Sequence, residues 1–596
     1  MTRREVVGVT SYVYERYSDL FETSPVSLPE VESALAEFNF EAAILRLSQI
    51  NILLVQSRLE NAFDSLQIRL CQEFFDDSII ERINKKYAGK SQHPPYLFFR
   101  LLVLYMMRLC ARACPTEGGR EIESAKEKHA FGRCCMWATD HLATEADEKA
   151  ISEGSREERR KALGPQVAVL AELGSPPDIQ RSLARADVFF TELVHDPAVL
   201  KLSGGFDFLQ AFRDAAGITI EDYYNIVFFI ISWFYGHSIQ QMFEDTSKFV
   251  VNLRHYVSLT HLSQDADEAF LRLNSVTMDQ LPSTLLDYKG APNRDFSSIQ
   301  YKPLCTLGDG MVACLDVDFL LEKLSSGVYQ LIVEGYTDAQ KERAQGAWGY
   351  LFEEYVNRII GAPHPQTRSR SLVGNFAQSP VYTTREEAFD GILISPTNPK
   401  HMFVFQYKSQ FIKPEIKYTD DIEAFEQALD RRGSFGVGRK GGVRQLVDNI
   451  GLLWNKDRTK RKVLAPPLGT IGGVEKVTPV LVVQDQFFRS DFLNWTLNNR
   501  LQTLLAGADV SDGVVIEPLM VIDIESLEIL KQYVGAGLCT ISQAINSLNE
   551  YDRERLAALR RHLAAYLKQF PKTRDADVEE RFEKITERMR KLIKDQ

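Results

Sequence analysis

Two short apolar runs near residue 400 show the period-two alternation of paired β-strands. They span residues 389–394 and 402–408, and the segment between them, 395–400, contains two prolines and an asparagine. Proline and asparagine favour turns between strands. The pattern therefore predicts a hairpin whose strands meet across this turn.

Three polar side chains interrupt the apolar runs. Because strand residues alternate between faces, Gln406 and Lys408 share one face of the second strand. A hairpin centred on Asn398 puts Asp390 opposite Gln406, with Lys408 on the diagonal. We expect a carboxylate, an amide and an ammonium to meet at one point of an apolar sheet, which is costly unless it has a use.

A helix is predicted upstream of this hairpin, over residues 345–360. One apolar stripe runs along its helical wheel; it consists of Phe352, Tyr355, Val356, Ile359 and Ile360. Glu353 falls at the edge of the stripe, whereas Glu354 points further toward solvent. Glu353 is therefore the acid of this helix that we expect near the hairpin.

Further elements follow the hairpin in alternation. The pattern predicts a helix over 442–453, a buried-type strand over 478–485, a helix over 491–505, a strand over 519–524 and a helix over 525–533. The hairpin and these elements favour an α/β domain over residues 346–540.

The remainder of the chain is mostly helical in pattern. Residues 1–285 show long 3.6-residue periods and no chemical motif, which favours a scaffold, sensor or partner-binding region. Residues 286–345 contain a hairpin signal around Gly308, Asp309 and Gly310 and form a connector. Residues 541–596 are charged helices suited to an oligomer or partner contact. We expect an α+β, multidomain protein.

Charge and cysteine content narrow the class of protein. The 596-residue chain carries a net charge of −11, so any nucleic-acid contact must use a local basic patch. Four of the eight cysteines cluster, at Cys110, Cys114, Cys134 and Cys135, but not in the paired C-x2-C spacing of zinc sites. Buried free thiols are the favoured interpretation, in a reducing compartment.

No targeting or membrane segment is predicted. The first fifteen residues lack the apolar core of a signal peptide. The most apolar helices, near 95–114 and 223–235, are broken by arginines or shorter than the ~20 residues that cross a bilayer. The expected location is the cytoplasm, without membrane partners.

A basic, glycine-rich loop over 433–442 leads into the helix at 442. Amide groups at the helix start, together with Arg439, Lys440 and Arg444, could hold a phosphate of nucleic acid. The loop lacks the G-x4-G-K-[ST] pattern of a nucleotide-binding P-loop. A solvent-exposed loop without a ligand is the alternative.

The order of these elements resembles the PD-(D/E)XK nuclease superfamily, in particular its Mrr-like restriction-endonuclease branch. A helix with Glu353 comes first, then a strand with Asp390, and then a strand with Gln406-x-Lys408. The resemblance covers roughly residues 346–485. It implies a restriction-endonuclease-like fold with a mixed central sheet. The sequence departs from the family pattern in having Gln406 in place of a glutamate and a long loop over 363–378.

By this resemblance, Glu353, Asp390, Gln406 and Lys408 are the expected catalytic residues. Asp390 would be the principal ligand of Mg²⁺, with Mn²⁺ as a substitute, and Glu353 would bind the cation directly or through water. Gln406 would add its amide oxygen, or a neighbouring backbone carbonyl would take its place, and Lys408 would orient the attacking water. The implied activity is hydrolysis of phosphodiester bonds.

The implied protein is a DNA endonuclease effector of bacterial restriction or anti-phage defence, with RNA left open as a substrate. A homo-oligomer, or a partner ATPase or sensor protein, is an expected assembly. Two alternatives stay open: an inactive nuclease fold that binds DNA or assembles a complex, and a helical adaptor whose sheet domain is structural.

Overall fold

The computed structural model describes residues 16–60, 62–87, 96–143, 155, 164, 167–175, 177–263, 265–361, 375–395, 397–419, 422–431, 435–438, 440–466, 473–551, 563 and 566–593. Arg439, one of the predicted phosphate-binding residues, lies outside these ranges. The protein is α+β, with a mainly helical N-terminal half, as the sequence pattern predicts.

The N-terminal half packs its helices through their apolar faces. They are α1 (Tyr17–Phe21), α2 (Leu28–Leu35), α3 (Phe40–Leu59), α4 (Phe63–Phe74), α5 (Asp77–Tyr87), α6 (Arg100–Ala113), α7 (Ala125–Ala138), α8 (Ile179–Asp187), α9 (Pro197–Leu202), α10 (Phe208–Ala216), α11 (Ile220–Tyr235), α12 (Ile239–Glu244), α13 (Leu253–Ser258), α14 (Ala266–Asn274) and α15 (Leu281–Leu286). Several begin at polar N-cap residues, such as Asn39 of α3 and Thr219 of α11, whose side chains accept hydrogen bonds from the first-turn amides.

A four-stranded sheet joins this half to the connector. Its strands are β1 (Val250–Asn252), β2 (Ser275–Thr277), β3 (Leu304–Gly308) and β4 (Met311–Cys314), in the order β1-β4-β3-β2. The predicted hairpin is β3–β4, and the turn between these strands contains Asp309, at φ 47°, and Gly310, at φ 77°. The short helix α16 (Ser297–Tyr301) precedes this hairpin in the chain, and α17 (Val317–Glu322) and α18 (Val328–Glu334) follow it. Strands from both sides of residue 286 therefore share one sheet.

A second, mixed sheet forms the C-terminal half. Its strands are β5 (Asn375–Gln378), β6 (Gly391–Ile394), β7 (His401–Lys408), β8 (Lys476–Val483), β9 (Val515–Ile516) and β10 (Met520–Asp523). The order is β10-β8-β7-β6-β5, with β9 also beside β8. Strands β5, β6 and β7 are antiparallel neighbours, whereas β7, β8 and β10 run parallel.

Helices cover this sheet. They are α19 (Asp338–Gly361), α20 (Pro414–Lys417), α21 (Ile422–Leu429), α22 (Gly442–Leu453), α23 (Asp491–Ala506) and α24 (Ile524–Gly535), followed by α25 (Ile541–Tyr551) and α26 (Ala576–Leu592). Every residue of β7 is buried, because the strand is central and packed on both faces.

Proline in a central strand needs an explanation, because it cannot donate to a sheet. Pro479 of β8 pairs with Val404 of β7. On its other side β9 ends opposite Val477 and β10 begins opposite Val480, so Pro479 lies in the gap between them. The missing amide hydrogen therefore costs no ladder bond on that side.

The buried apolar side chains form one connected core that extends from Leu20 to Met589. The eight cysteines are free thiols, and all but Cys71 are buried. Among the described helices, none combines the length and apolar character that crossing a bilayer requires.

Candidate active site

The β6–β7 hairpin has the register predicted from the sequence. Gly391 pairs with Phe405, and the Asp390 amide donates to the Phe405 carbonyl at 3.1 Å. Asp390 therefore stands opposite Gln406. The Gln406 amide nitrogen donates to Asp390 Oδ2 at 2.6 Å, and the backbone amide of Tyr407 donates to the same oxygen.

The Lys408 side chain extends from the same face of β7 as Gln406, and its ammonium group donates hydrogen bonds to protein oxygens. Its Nζ donates to Gln445 Oε1 at 2.6 Å and to the Lys440 carbonyl at 3.2 Å. Asp390, Gln406 and Lys408 are only 5%, 4% and 8% exposed. The hairpin thus holds three polar side chains inside the protein, and each has a hydrogen-bond partner.

Helix α19 brings Glu353 to this cluster. Burial, and then the negative charge of Asp390, raise the pKa of Glu353 well above its usual value. The neighbouring Glu354 instead accepts from Arg358 at 3.2 Å and from Gln378 at 3.3 Å. Of the two acids, Glu353 is the one coupled electrostatically to Asp390 and Lys408.

Burial also controls the charges of the hairpin residues. It raises the pKa of Asp390 to about 7, against the pull of the Lys408 ammonium. Burial lowers the pKa of Lys408, against the attraction of Asp390 and Glu353. The cluster therefore contains repelling carboxylates that one lysine balances only in part.

A third carboxylate, Glu387, lies at the solvent side of the cluster. Partial desolvation raises the pKa of Glu387, and Lys408 opposes that rise. Glu387 itself raises the pKa of both Glu353 and Asp390. The sequence analysis missed this residue, although its position three residues before Asp390 was a usable signal.

A second layer of hydrogen bonds supports the two elements that carry the site. The Tyr407 hydroxyl donates to Asn357 of α19 at 3.2 Å. The indole N–H of Trp348, on the same helix, donates to Gln484 Oε1 at 2.8 Å. The backbone N–H of Gln484 donates in turn to the Lys408 carbonyl at 3.1 Å. Helix α19 and strand β7 are therefore joined on both sides of the acidic cluster.

The glycine-rich loop before α22 closes over Lys408. A Cβ added at Gly442 would lie 3.3 Å from Lys408 Cε and 2.6 Å from Leu481 Cδ1. Lys440, at φ 61°, turns its carbonyl toward the ammonium. Glycine is needed at 442 because the loop backbone passes directly over the lysine side chain.

The start of α22 offers fewer free amide groups than the phosphate prediction assumed. The amides of Val443 and Arg444 already donate to the Phe435 and Gly436 carbonyls, at 3.0 and 3.3 Å. The Arg444 side chain is 41% exposed and lies 3.9 Å from Asp448. Lys440 and Arg444 are thus exposed cations beside the site, while the helix start itself is largely satisfied.

Comparisons of the chain with protein-family models, with curated proteins and with solved structures gave no match.

The donor set suits a hard divalent cation in kind. Carboxylates and amide oxygens are the ligands that Mg²⁺ prefers, and Asp390, Glu353 and Gln406 supply them. Both hydrogen bonds that described residues make to the Asp390 carboxylate reach Oδ2, which leaves Oδ1 for a cation. Repulsion among buried carboxylates is what a cation would relieve.

The same set is not assembled as a complete metal site. No group of three or more histidine, cysteine, aspartate or glutamate side chains within the described ranges is placed to hold a metal ion. Gln406 presents its NH₂ group to Asp390. Coordination of one cation by both residues therefore requires the amide to turn over.

The hydrogen-bond partner of Lys408 also escaped the sequence analysis. Gln445 belongs to the predicted α22 helix, but its sequence position gives no sign that it reaches β7. Only the closure of the glycine-rich loop brings the two side chains within 2.6 Å.

Proposed function

We propose that the protein is a metal-dependent nuclease that hydrolyses phosphodiester bonds of nucleic acid, with Asp390, Glu353, Gln406 and Lys408 as its catalytic residues. The observation that carries the proposal is the convergence of these four side chains from α19 and the β6–β7 hairpin. A buried cluster of charged and polar groups is costly, and such sites are concentrated at centres of catalysis and binding.

In this proposal Asp390 and Glu353 hold Mg²⁺ or Mn²⁺, with Gln406 adding its amide oxygen. When bound, the cation lowers the pKa of its water ligand and offsets charge on the phosphoryl group. The hydrogen bond from the Tyr407 amide fixes the Asp390 carboxylate, and it remains when the Gln406 amide turns over, so that Oδ1 keeps one orientation.

Lys408 acts on the substrate side. An ammonium has three donors, and Gln445 and the Lys440 carbonyl accept from two of them. The third is left for a phosphoryl oxygen or the attacking water. In hydrolysis an O–P bond forms to water and the P–O3′ bond breaks; the attacking water loses a proton to solvent, and the leaving O3′ takes one up from solvent. Lys408 stabilises the added negative charge in between.

The biological setting that we propose is a DNA endonuclease effector of bacterial restriction or anti-phage defence, acting in the cytoplasm. The helical half would receive the trigger, alone, as a homo-oligomer or through a partner ATPase or sensor. Its support is the close packing of that half against the proposed catalytic domain.

The two adjacent acids of α19 provide a matched test. Purified protein is incubated with plasmid DNA or RNA in Mg²⁺, Mn²⁺ or EDTA, and the Glu353→Gln and Glu354→Gln variants are compared. We expect cleavage that requires the metal and falls about 100-fold or more in Glu353→Gln, with little change in Glu354→Gln. Equal activity in both variants would remove Glu353 from the site.

A second candidate is a nuclease fold that binds DNA without cutting it. The orientation of the Gln406 amide and the incomplete set of acids favour it. This candidate predicts equal DNA affinity in wild type and Lys408→Ala, with no metal-dependent product from either.

A further inference from the structure

A second group of cations lies close to the site and plays no part in the mechanism above. Five of the seven residues over 456–462 are lysine or arginine and one is acidic, although the whole chain carries a net charge of −11. The cations concerned are Arg458, Lys460, Arg461 and Lys462, together with Arg385 from a neighbouring turn. We refer to these five as the basic ribbon.

Backbone pairing brings residues 463–465, which directly follow the basic ribbon in the chain, near the site. Tyr382 forms a bridge with Leu464, and Val381 forms one with Glu387. The Thr383 amide donates to the Val463 carbonyl at 2.9 Å. Neighbouring strands are about 4.8 Å apart. The 463–465 segment therefore lies two strand spacings, or ~10 Å, from Glu387 at the site.

The cations of the ribbon are on the outside of this pairing. Arg385 and Arg458 are exposed, and Arg461 is half-buried with Nε donating to the Asn455 carbonyl at 2.6 Å. Among the described residues, none of these three has a carboxylate within ion-pair distance. An arginine without a protein carboxylate has its planar donors free for a phosphate.

The two lysines of the ribbon have weak or local partners. Lys460 lies 3.9 Å from Asp457, and Lys462 pairs with Glu386 while lying 4.9 Å above the Tyr382 ring. Exposed ion pairs of this kind contribute ~0–1 kcal/mol. Replacing these carboxylates by phosphates as partners of the two lysines therefore costs little free energy.

We propose that the basic ribbon binds the sugar–phosphate backbone of the substrate a few nucleotides from the bond that is cut. The proposal rests on the nuclease function proposed above. One strand of a duplex carries a phosphate every ~3.4 Å along the axis, so ~10 Å corresponds to about three nucleotides. The negative charge of the whole protein repels nucleic acid, and a local cationic surface is what overcomes it.

The test removes three ribbon charges and compares a matched control. The first variant is Arg458→Ala/Lys460→Ala/Arg461→Ala. The control is Lys531→Ala/Lys584→Ala/Lys591→Ala, which removes the same charge from the half-buried Lys531 of α24 and the exposed Lys584 and Lys591 of α26. Affinity for a long nucleic acid is measured in EDTA across a salt series, and cleavage is measured in Mg²⁺.

We expect the slope of log affinity against log salt to fall by about 2–3 in the ribbon variant, since each phosphate contact contributes ~0.9. The control should keep the wild-type slope. Cleavage of a long substrate should fall about 10-fold or more in the ribbon variant. A dinucleotide, with a single phosphate, does not reach Arg458, Lys460 or Arg461 from the site, and wild type and variant should cut it equally.

The outcomes separate the two proposals. Metal-dependent cleavage by wild type, with equal salt slopes in ribbon and control variants, overturns the ribbon and leaves the nuclease intact. A variant that loses the short substrate as strongly as the long one also overturns it, because the defect then lies in the site. No binding and no cleavage by wild type overturns both.

Discussion

At the scale of single residues, the ammonium of Lys408 is the most constrained group of the site. It is buried, its pKa is lowered by that burial, and two protein oxygens fix its direction. A lysine has four flexible bonds, and ordering it costs entropy. Gln445 therefore acts as a positioning residue for Lys408 in the proposed mechanism.

Replacing Gln445 tests that role. Gln445→Leu removes the acceptor, and a hydrogen bond to a charged group contributes ~1.5–3 kcal/mol. We expect kcat to fall about 10- to 100-fold with KM little changed. Gln445→Glu should restore the contact and move the basic limb of the pH–rate profile to higher pH, because a carboxylate raises the pKa of Lys408. Unchanged kinetics in Gln445→Leu would contradict the role.

The site residues fall into two groups: those whose position a local sequence pattern predicts, and those whose position depends on a contact between distant segments. Asp390, Gln406 and Lys408 follow from strand alternation and a symmetric turn, which are local. Glu353 follows from its place beside an apolar stripe, also local. Gln445 meets β7 only after a loop closes, and no short-range pattern encodes that contact.

At the scale of elements, α22 connects Lys408 to the rest of the sheet. Gly442, at its first residue, has no room for a side chain, whereas a Cβ at Gly451 of the same helix would meet nothing within 4 Å. Gly442→Ala should therefore destabilise the protein by ~1–3 kcal/mol and displace Lys408. Gly451→Ala should stabilise it by ~0.5–1 kcal/mol. Thermal unfolding measures both, and equal shifts would contradict the close approach.

The start of β7 predicts a pH dependence of stability. His401 is buried, its Nε2 lies 2.8 Å from Thr478 Oγ1, and burial lowers the pKa of His401 to about 4. An unfolded histidine has a pKa of ~6.5. The folded protein thus favours the neutral ring, and this stability, present above pH ~6.5, is lost as the pH falls toward 4.

His401→Gln removes that titration. Between pH 7.5 and 4.5, we expect wild type to lose ~1–3 kcal/mol more stability than the variant. The exposed His195 supplies the control, and His195→Gln should follow wild type. Parallel stability curves for all three proteins would contradict the buried neutral histidine.

Longer elements were all recognised, although α19 begins at Asp338 and not at residue 345 as predicted, whereas some short elements were missed. The bounds of α22 agree with the pattern, because twelve residues carry several turns of apolar periodicity. Strands β1 and β2, with three residues each, were absorbed into a helical prediction. So few residues cannot show an alternation, and their pairing partners lie up to sixty residues away in the chain.

At the scale of the whole molecule, a buried ion network joins the helical half to the mixed sheet. Lys417 Nζ lies 2.8 Å from Glu172 and 2.9 Å from Asp485, which follows β8. Burial opposes the charge, but Asp485 and Glu172 raise the pKa of Lys417. The lysine is thus held charged between the two halves.

Lys417→Met leaves two buried carboxylates without their cation. Removing one partner of a buried pair costs ~3–5 kcal/mol, so we expect a clear fall in Tm. The exposed pair Lys400–Glu475 gives the control, and Lys400→Met should change stability by less than ~1 kcal/mol. Similar small effects of both substitutions would show that the two halves do not depend on this network.

Nicking of a supercoiled plasmid by wild type, Asp390→Asn and Lys408→Met, each in Mg²⁺ and in EDTA, tests the proposed nuclease site. We expect wild type to nick the plasmid only with the metal, and each variant to lose about 100-fold or more of that activity. Nicking that survives both substitutions, or no cleavage of DNA or RNA by a folded wild type in Mg²⁺ or Mn²⁺, would contradict the proposed site.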